Sequence, residues 1–214
     1  MSKAIETLSH STPERILNAA EKLFAENGIS TVSIRSIVEE AGVNVALVNY
    51  HFGSKDELVS AVIKRRLSQI NKKRFELLDF FRQKNKDKKI PLKDLLYAFL
   101  SPSVELGQDK ESGGQHFFRV VARAHAETAP HIQKVMYEEL DDVIHIFLTE
   151  LKKTLPNLKN DEYGIRLAFI VGAMFQAVLL PLKPGFIDRF FKGKYSDKKM
   201  LSMLLDFCEG GFNA

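Results

Sequence analysis

The chain has 214 residues, 45% of them hydrophobic and 27% charged, which is the composition of a soluble globular protein long enough to bury a core. The formal net charge of +4 permits a polyanionic partner without requiring one. The single cysteine, Cys208, excludes an intrachain disulfide and favours a reducing compartment, so we expect a cytoplasmic protein.

The basic charge is unevenly placed. Residues 1–60 hold five Lys and Arg against eight Asp and Glu, whereas residues 61–89 hold eleven against three. A polyanion bound near the N-terminus would therefore contact a few placed groups, helix N-termini and hydrogen-bond donors. Residues 1–11 predict a disordered arm, and no apolar stretch of export-signal length is present.

Four helices are predicted next. A capping hydroxyl, a proline and an acid at Thr12-Pro13-Glu14 start the first helix, and Gly28 ends it. Ser33 caps a short helix that Gly42 breaks. Asn44 caps another, which runs to about Tyr50. The capping box Ser54-Lys55-Asp56-Glu57 opens a long fourth helix toward Phe80.

The rest of the chain shows helical periodicity without a convincing strand pattern, so we predict an all-α fold. A polar loop covers residues 83–89. The further predicted helices run from Pro91 to about Leu106 (kinked or split at Pro102), Gly114 to Glu127, Pro130 to Leu155, Asp161 to Leu180, and Ser196 to Cys208.

The two short helices joined at Gly42 form a helix-turn-helix, in which glycine tolerates the dihedral angles of a tight turn. The second of them would be the recognition helix, because a helix fits the DNA major groove and its N-terminal residues reach base edges.

Three segments resemble the tetracycline-repressor (TetR) family, in the family's order and spacing. Residues 16–28 (ILNAAEKLFAENG) resemble its first helix, residues 33–43 its second helix and turn, and residues 50–58 (YHFGSKDEL) the end of its recognition helix and the start of its fourth helix. The resemblance implies a helix-turn-helix domain with a three-helix core over residues 12–57. A helical domain for effector binding and dimerisation would cover residues 58–214.

By the same resemblance, the chain is expected to be a sequence-specific transcriptional regulator. It would be a homodimeric repressor without a cofactor, released from a palindromic DNA operator by a small-molecule effector. The residues assigned to DNA are Ser33, Arg35, Asn44, Val45, Ala46, Asn49, Tyr50, His51 and Lys55. Leu47, Val48 and Phe52 are assigned to the core of the domain.

Effector binding is the less constrained expectation. His116, Arg119 and Arg123 share one helix face and would anchor an acidic effector by charge-assisted hydrogen bonds, or would belong to a surface ladder of ion pairs. Phenylalanines, among them Phe117, Phe147 and Phe175, would line a pocket for an apolar effector.

The helix from Asp161 to Leu180 is apolar nearly all round, which favours a buried interface over a membrane span. Together with the stripe that starts at Ser196 it predicts a four-helix dimer bundle. The residues assigned to that interface are Ala168, Gly172, Phe175, Leu179, Leu201, Leu204 and Leu205.

The sequence offers weaker signals for a metal site, an enzyme and a protein–protein adaptor. Glu138, Asp142 and His145 have metal-ligand spacing but are better interpreted as a solvated acidic face, so no metal is expected. No nucleophile arrangement or phosphate-binding loop indicates an enzyme. A helical protein–protein adaptor that carries a helix-turn-helix-like unit remains the alternative function.

Overall fold

The computed structural model describes residues 11–86, 88–109, 111–126, 130–180, 189 and 196–213, without the side chains of residues 125, 126, 130 and 131. In those ranges the chain forms helices and no strand, which confirms the all-α prediction. The helices are α1 (Thr12–Asn27), α2 (Ile34–Ala41), α3 (Val45–Phe52), α4 (Lys55–Lys84), α5 (Leu92–Gln108), α6 (Gly114–Ala126), α7 (Pro130–Thr154), α8 (Asn160–Leu179) and α9 (Asp197–Asn213).

The first helices begin where side chains cap them. Ser11, not Thr12 as the sequence predicted, is the N-cap of α1, and the Glu14 carboxylate accepts hydrogen bonds from its backbone N–H and hydroxyl at 2.9 and 3.0 Å. The cap lies one residue earlier than predicted because only a cap at position 11 places Glu14 at the third helical position, where it completes a capping box. Residue 11 therefore belongs to α1, and residues 1–10 of the predicted arm lie outside the described residues.

The chain divides into two compact units. The first contains residues 1–67 and 116–138, and the second contains residues 68–115 and 139–214. The first unit is larger than the predicted domain 12–57, because α4 continues without interruption and because residues 116–138 join it. In this unit α1, α2 and α3 pack against one another; in the second, α5, α8 and α9 do so.

Two helices run through residues expected to break them. Pro102 lies inside α5, and Gly210 and Gly211 lie inside α9, which reaches Asn213 instead of ending at Cys208. Burial explains both, because nearly every residue of α5 from Leu95 to Val104 is buried, and Phe212 brings the end of α9 into the core. Cys208 is a buried free thiol, and burial raises its pKa to about 11.

Candidate nucleic-acid interface

The turn between α2 and α3 is held by α1. Gly42 adopts the left-handed conformation at φ 63°, where a residue with a β-carbon would be strained. Arg15 of α1 donates from Nη2 to the backbone oxygens of Ala41 and Gly42, at 2.7 and 3.0 Å. These bonds satisfy carbonyls at the C-terminus of α2 and fix the turn that aims α3.

The α3 helix is mostly apolar and mostly exposed. Asn44 caps it by accepting a hydrogen bond from the Ala46 N–H at 2.9 Å. Val48 is its one buried residue, whereas Val45 is 43% exposed and Tyr50 82% exposed. Leu47 is also exposed, at 36%, so its assignment to the core was wrong. Packing within the chain therefore covers only a small part of the apolar surface of α3.

The start of α4 contributes polar groups beside this motif. The Ser54 N–H donates to the Glu57 carboxylate at 3.0 Å, which completes the predicted capping box. Lys55 donates from Nζ to the backbone oxygen of Ser30 at 3.2 Å and stays partly exposed. Arg35 extends into solvent from α2 and lies 3.7 Å from Glu39, a contact weak enough for the guanidinium to exchange partners.

Two family models match the chain and together cover most of it. Residues 16–62 match the bacterial regulatory proteins of the tetR family, and residues 97–211, more than half of the chain, match the tetracyclin repressor-like C-terminal domain. The chain belongs to the TetR family.

Similar curated HTH-type regulators match over less than a third of the chain. An HTH-type transcriptional repressor of Mycobacterium tuberculosis is 54% identical over 48 residues, which cover 22% of this chain and 26% of the repressor. The HTH-type transcriptional regulator UidR of Escherichia coli is 36% identical over 59 residues, covering 28% of this chain and 30% of UidR. The matched segment thus spans about a quarter to a third of these relatives.

Solved structures of similar fold cover nearly the whole chain. The fatty acid degradation regulator FadR of Bacillus halodurans superposes with a TM-score of 0.67 over 92% of this chain and 98% of its own, at 14% identity. A transcriptional regulator from Rhodococcus sp. superposes with a TM-score of 0.65 over 94% and 95%, at 20% identity. These likenesses establish the TetR fold for both units.

The structure makes most of the predicted DNA-binding residues accessible. Eight of the nine are exposed (Ser33, Arg35, Asn44, Val45, Ala46, Asn49, Tyr50 and His51), and Lys55 is half-buried. Three of the nine also make structural hydrogen bonds: Asn44 caps α3, the Ser33 hydroxyl accepts the Ser36 N–H at 3.1 Å, and Lys55 binds Ser30. Their contacts with DNA stay predictions.

Sequence reasoning missed a buried ion cluster that ties α1 to α4. Glu21 accepts hydrogen bonds from Arg66 at 2.7 and 2.9 Å and from Arg65 at 2.8 Å, and Arg65 also donates to Asn18 at 2.7 Å. Glu21 and Arg66 are both buried. The signal available in the sequence was an acid beside the apolar stripe of a helix in the TetR-like segment.

The predicted effector residues are divided between the two units. His116, Phe117, Arg119 and Arg123 belong to the first unit, and Phe147 and Phe175 to the second. Arg123 donates from Nη2 to the backbone oxygen of Glu26, at the end of α1, at 3.1 Å. The role of these residues in effector binding stays a prediction.

The predicted dimer residues differ in accessibility. Ala168 and Gly172 of α8 are exposed, and Phe175, Leu179 and Leu201 are half-buried. Leu204 and Leu205 of α9 are buried in the chain's own core, so a partner would not reach them. The exposed apolar residues of the two helices are instead Ile165, Phe169, Met203 and Phe207.

Two further interpretations of the sequence, a membrane span and a metal site, can be compared with the structure. By length and composition α8 could cross a membrane, and 33% of its apolar window is buried inside the protein. Among the described residues no group of three or more His, Cys, Asp or Glu side chains is arranged to hold a metal ion.

Proposed function

We propose that this TetR-family chain is a DNA-binding transcriptional regulator that reads its operator with α3. The observation that carries this proposal is the exposed apolar surface of α3 on a rigidly capped turn. A thymine methyl group accepts apolar contact from a residue such as Val45, and Asn49 offers the amide that can pair with adenine. Tyr50, His51 and Lys55 would bind phosphates and fix the register of the helix.

The proposed regulator acts as a homodimer. Phe169 on α8 and Phe207 on α9 are 69% and 71% exposed, and such large apolar side chains usually mark an interface when they cluster. Gly164 and Gly172 on α8, and Gly210 and Gly211 on α9, have open space where a β-carbon would project, so a partner helix could approach closely. Two copies of this pair would form an isologous four-helix bundle.

A two-fold dimer requires a palindromic operator whose half-sites lie about 34–36 Å apart, or a close variant of that spacing. We propose repression, with release by an effector that favours a state in which the two recognition helices no longer match the half-sites. The cytoplasm is the compartment in which such a regulator meets its DNA.

Selection from random duplex DNA by the purified full chain tests the DNA-binding function, followed by fluorescence anisotropy on the selected sequence. Asn49→Ala is expected to weaken the selected sequence by about 1–3 kcal/mol relative to a scrambled duplex, whereas Tyr50→Phe should weaken both equally. Lys159→Ala removes an exposed lysine outside this surface and serves as the control.

Binding should fall steeply as salt rises, because phosphate contacts release counterions. Failure to enrich any sequence, together with affinity independent of salt, would contradict the proposal and favour a protein–protein adaptor.

Analytical ultracentrifugation tests the dimer. Phe169→Glu and Gly172→Arg should each convert the chain to monomers, because they place charge and bulk in an apolar bundle. Phe80→Glu is the matched control, since Phe80 is an exposed phenylalanine of α4 outside the proposed interface. A parent that is monomeric at micromolar concentration would refute the dimer.

A further inference from the structure

The second unit contains a buried cation without a counter-ion. Arg74 of α4 is 3% exposed, and no carboxylate of the described residues lies within ion-pair distance of its guanidinium. The other strongly buried arginine, Arg66, is paired with Glu21 at 2.7 Å, and the partly buried Arg82 is paired with Glu150 at 2.8 Å. Arg74 is therefore an exception, and burial lowers its pKa to about 9.

The contacts of Arg74 are all with neutral groups. Nε donates to the backbone oxygen of Phe99 at 2.9 Å, Nη1 to Oδ1 of Asn71 at 3.1 Å, and Nη2 to the Ser103 hydroxyl at 3.0 Å. Asn71 in turn donates to the backbone oxygen of Glu139 at 2.6 Å. The network joins α4, α5 and α7 within one unit.

These three bonds leave capacity unused. A guanidinium carries five N–H donors, so two of the five have no acceptor among the described residues. All three acceptors are neutral, and burying a charge without a counter-charge is expensive. Apart from its contact with the Phe99 ring, the positive charge of Arg74 thus meets no counter-charge among the described residues.

The surroundings of Arg74 combine aromatic and polar groups. The guanidinium lies 4.4 Å from the ring centre of Phe99, and Phe147 packs edge-on against Phe99 with ring centres 5.0 Å apart. Ser101, in the same helical turn as Phe99 and Ser103, is fully buried and its hydroxyl has no hydrogen-bond partner. Pro102 lies in this turn and removes one N–H from the backbone ladder of α5.

We propose that Arg74 anchors a buried site for a small organic monocarboxylic acid. The carboxylate would accept the two unused N–H groups, and the apolar part of the acid would pack against Phe99 and Phe147. A carboxylate matches the fork of a guanidinium and supplies the missing counter-charge. This inference rests on the proposed function, since the acid would be the effector, and it moves the anchor from Arg119 and Arg123 of the first unit to the second.

Thermal unfolding of the full chain with a defined acid panel tests the site. The panel is the straight-chain acids from butanoate to decanoate and benzoate, each compared with its primary amide. At least one acid should raise the unfolding midpoint in a concentration-dependent way, and its amide should bind at least about tenfold more weakly. No response to any acid, or an equal response to acid and amide, would overturn the proposal.

Arg74→Gln should abolish the response to the acid, and a response that survives the substitution overturns the proposal as well. Arg82→Gln is the matched control: it removes an arginine of the same unit that already has a carboxylate partner, and it should keep the response. If Arg74→Gln does not fold, Arg74→Lys keeps the charge without the fork and should bind the acid several-fold more weakly, while retained affinity counts against the site. The acid–amide comparison on the parent needs no variant.

Operator binding separates this proposal from the proposed function. Arg74→Gln should bind the selected duplex as the parent does in the absence of acid, and only the parent should be released by the acid. A parent that binds no DNA but is stabilised by an acid through Arg74 would refute the regulator and leave the acid site standing. A parent that binds DNA and ignores every acid would do the reverse.

Discussion

Arg66 and Arg74 lie eight residues apart on α4, and these two buried arginines differ in whether a carboxylate neutralises them. Arg66 forms a bidentate pair with Glu21, with Arg65 as a second donor to the same carboxylate. Arg74 meets only neutral acceptors and an aromatic ring. The paired cluster fixes α1 against α4, whereas Arg74 keeps a positive charge without a counter-charge among the described residues.

The contrast indicates a division of labour. A saturated ion cluster has one low-energy arrangement, which suits the unit that must hold α3 in place. A buried cation without a counter-charge raises the free energy of the ligand-free protein. A ligand that neutralises this charge removes that cost, which increases its affinity. Stability in one unit and responsiveness in the other thus follow from the presence or absence of a single carboxylate.

Glu21→Ala should produce the largest effect, because it leaves two arginines without their carboxylate. We expect a loss of about 3–5 kcal/mol in the free energy of unfolding, measured by urea denaturation. Glu40→Ala is the control: it breaks the exposed pair with Lys22, which has a similar distance of 2.7 Å, and should cost less than about 1 kcal/mol. Similar losses of unfolding free energy in the two variants would show that burial does not strengthen the Glu21 cluster.

Arg74→Met should cost less than Glu21→Ala. The substitution leaves three acceptors without a donor, but it also removes an unpaired buried charge, so we expect a net loss of about 1–3 kcal/mol in unfolding free energy. Arg82→Met sharpens the comparison, because it leaves the buried carboxylate of Glu150 short of its main partner and should cost more than Arg74→Met. The reverse order would contradict the distinction between paired and unpaired arginines.

The smallest effect is a dependence on pH. Burial lowers the pKa of Arg74 from its ordinary value to about 9 on folding, so the unfolded chain binds more protons above pH 9. The burial penalty is fully present below the folded pKa and is relieved as pH rises through it. The unfolding free energy of the parent should therefore rise relative to that of Arg74→Met between pH 8 and pH 10, by about 1 kcal/mol. A constant difference would contradict the lowered pKa.

Local signals made most of the fold predictable. Capping residues and Gly42 located the ends of the first helices to within a residue or two, because a helix end needs partners for its free backbone groups nearby in sequence. The signals failed where tertiary burial overrides them. Gly210 and Gly211 do not end α9, because Phe212 beyond them is buried in the core. Pro102 is tolerated inside α5, because that helix is covered on nearly all sides.

The candidate sites divide in the same way. The exposed positions of α3 followed from the family resemblance, but Leu47 was misassigned, because an exposed apolar residue looks like a core residue in sequence. Both faces of α9 are apolar, and only packing shows that Leu204 and Leu205 lie on the face that the chain itself covers. The contacts of Glu21 with Arg65 and Arg66, and those of Arg74 with Phe99 and Ser103, join residues 25 or more positions apart, and no local pattern reports such pairings.

Cys208 can report on the opening of α9. Its thiol is 1% exposed and has a pKa of about 11, so at neutral pH it is both shielded and protonated, and a thiol reagent can reach it only when α9 detaches from α5 and α8. Since the chain contains one cysteine, every labelling event comes from this position. The rate of modification therefore measures how often the C-terminal helix opens, in the unmodified chain and without any engineered probe.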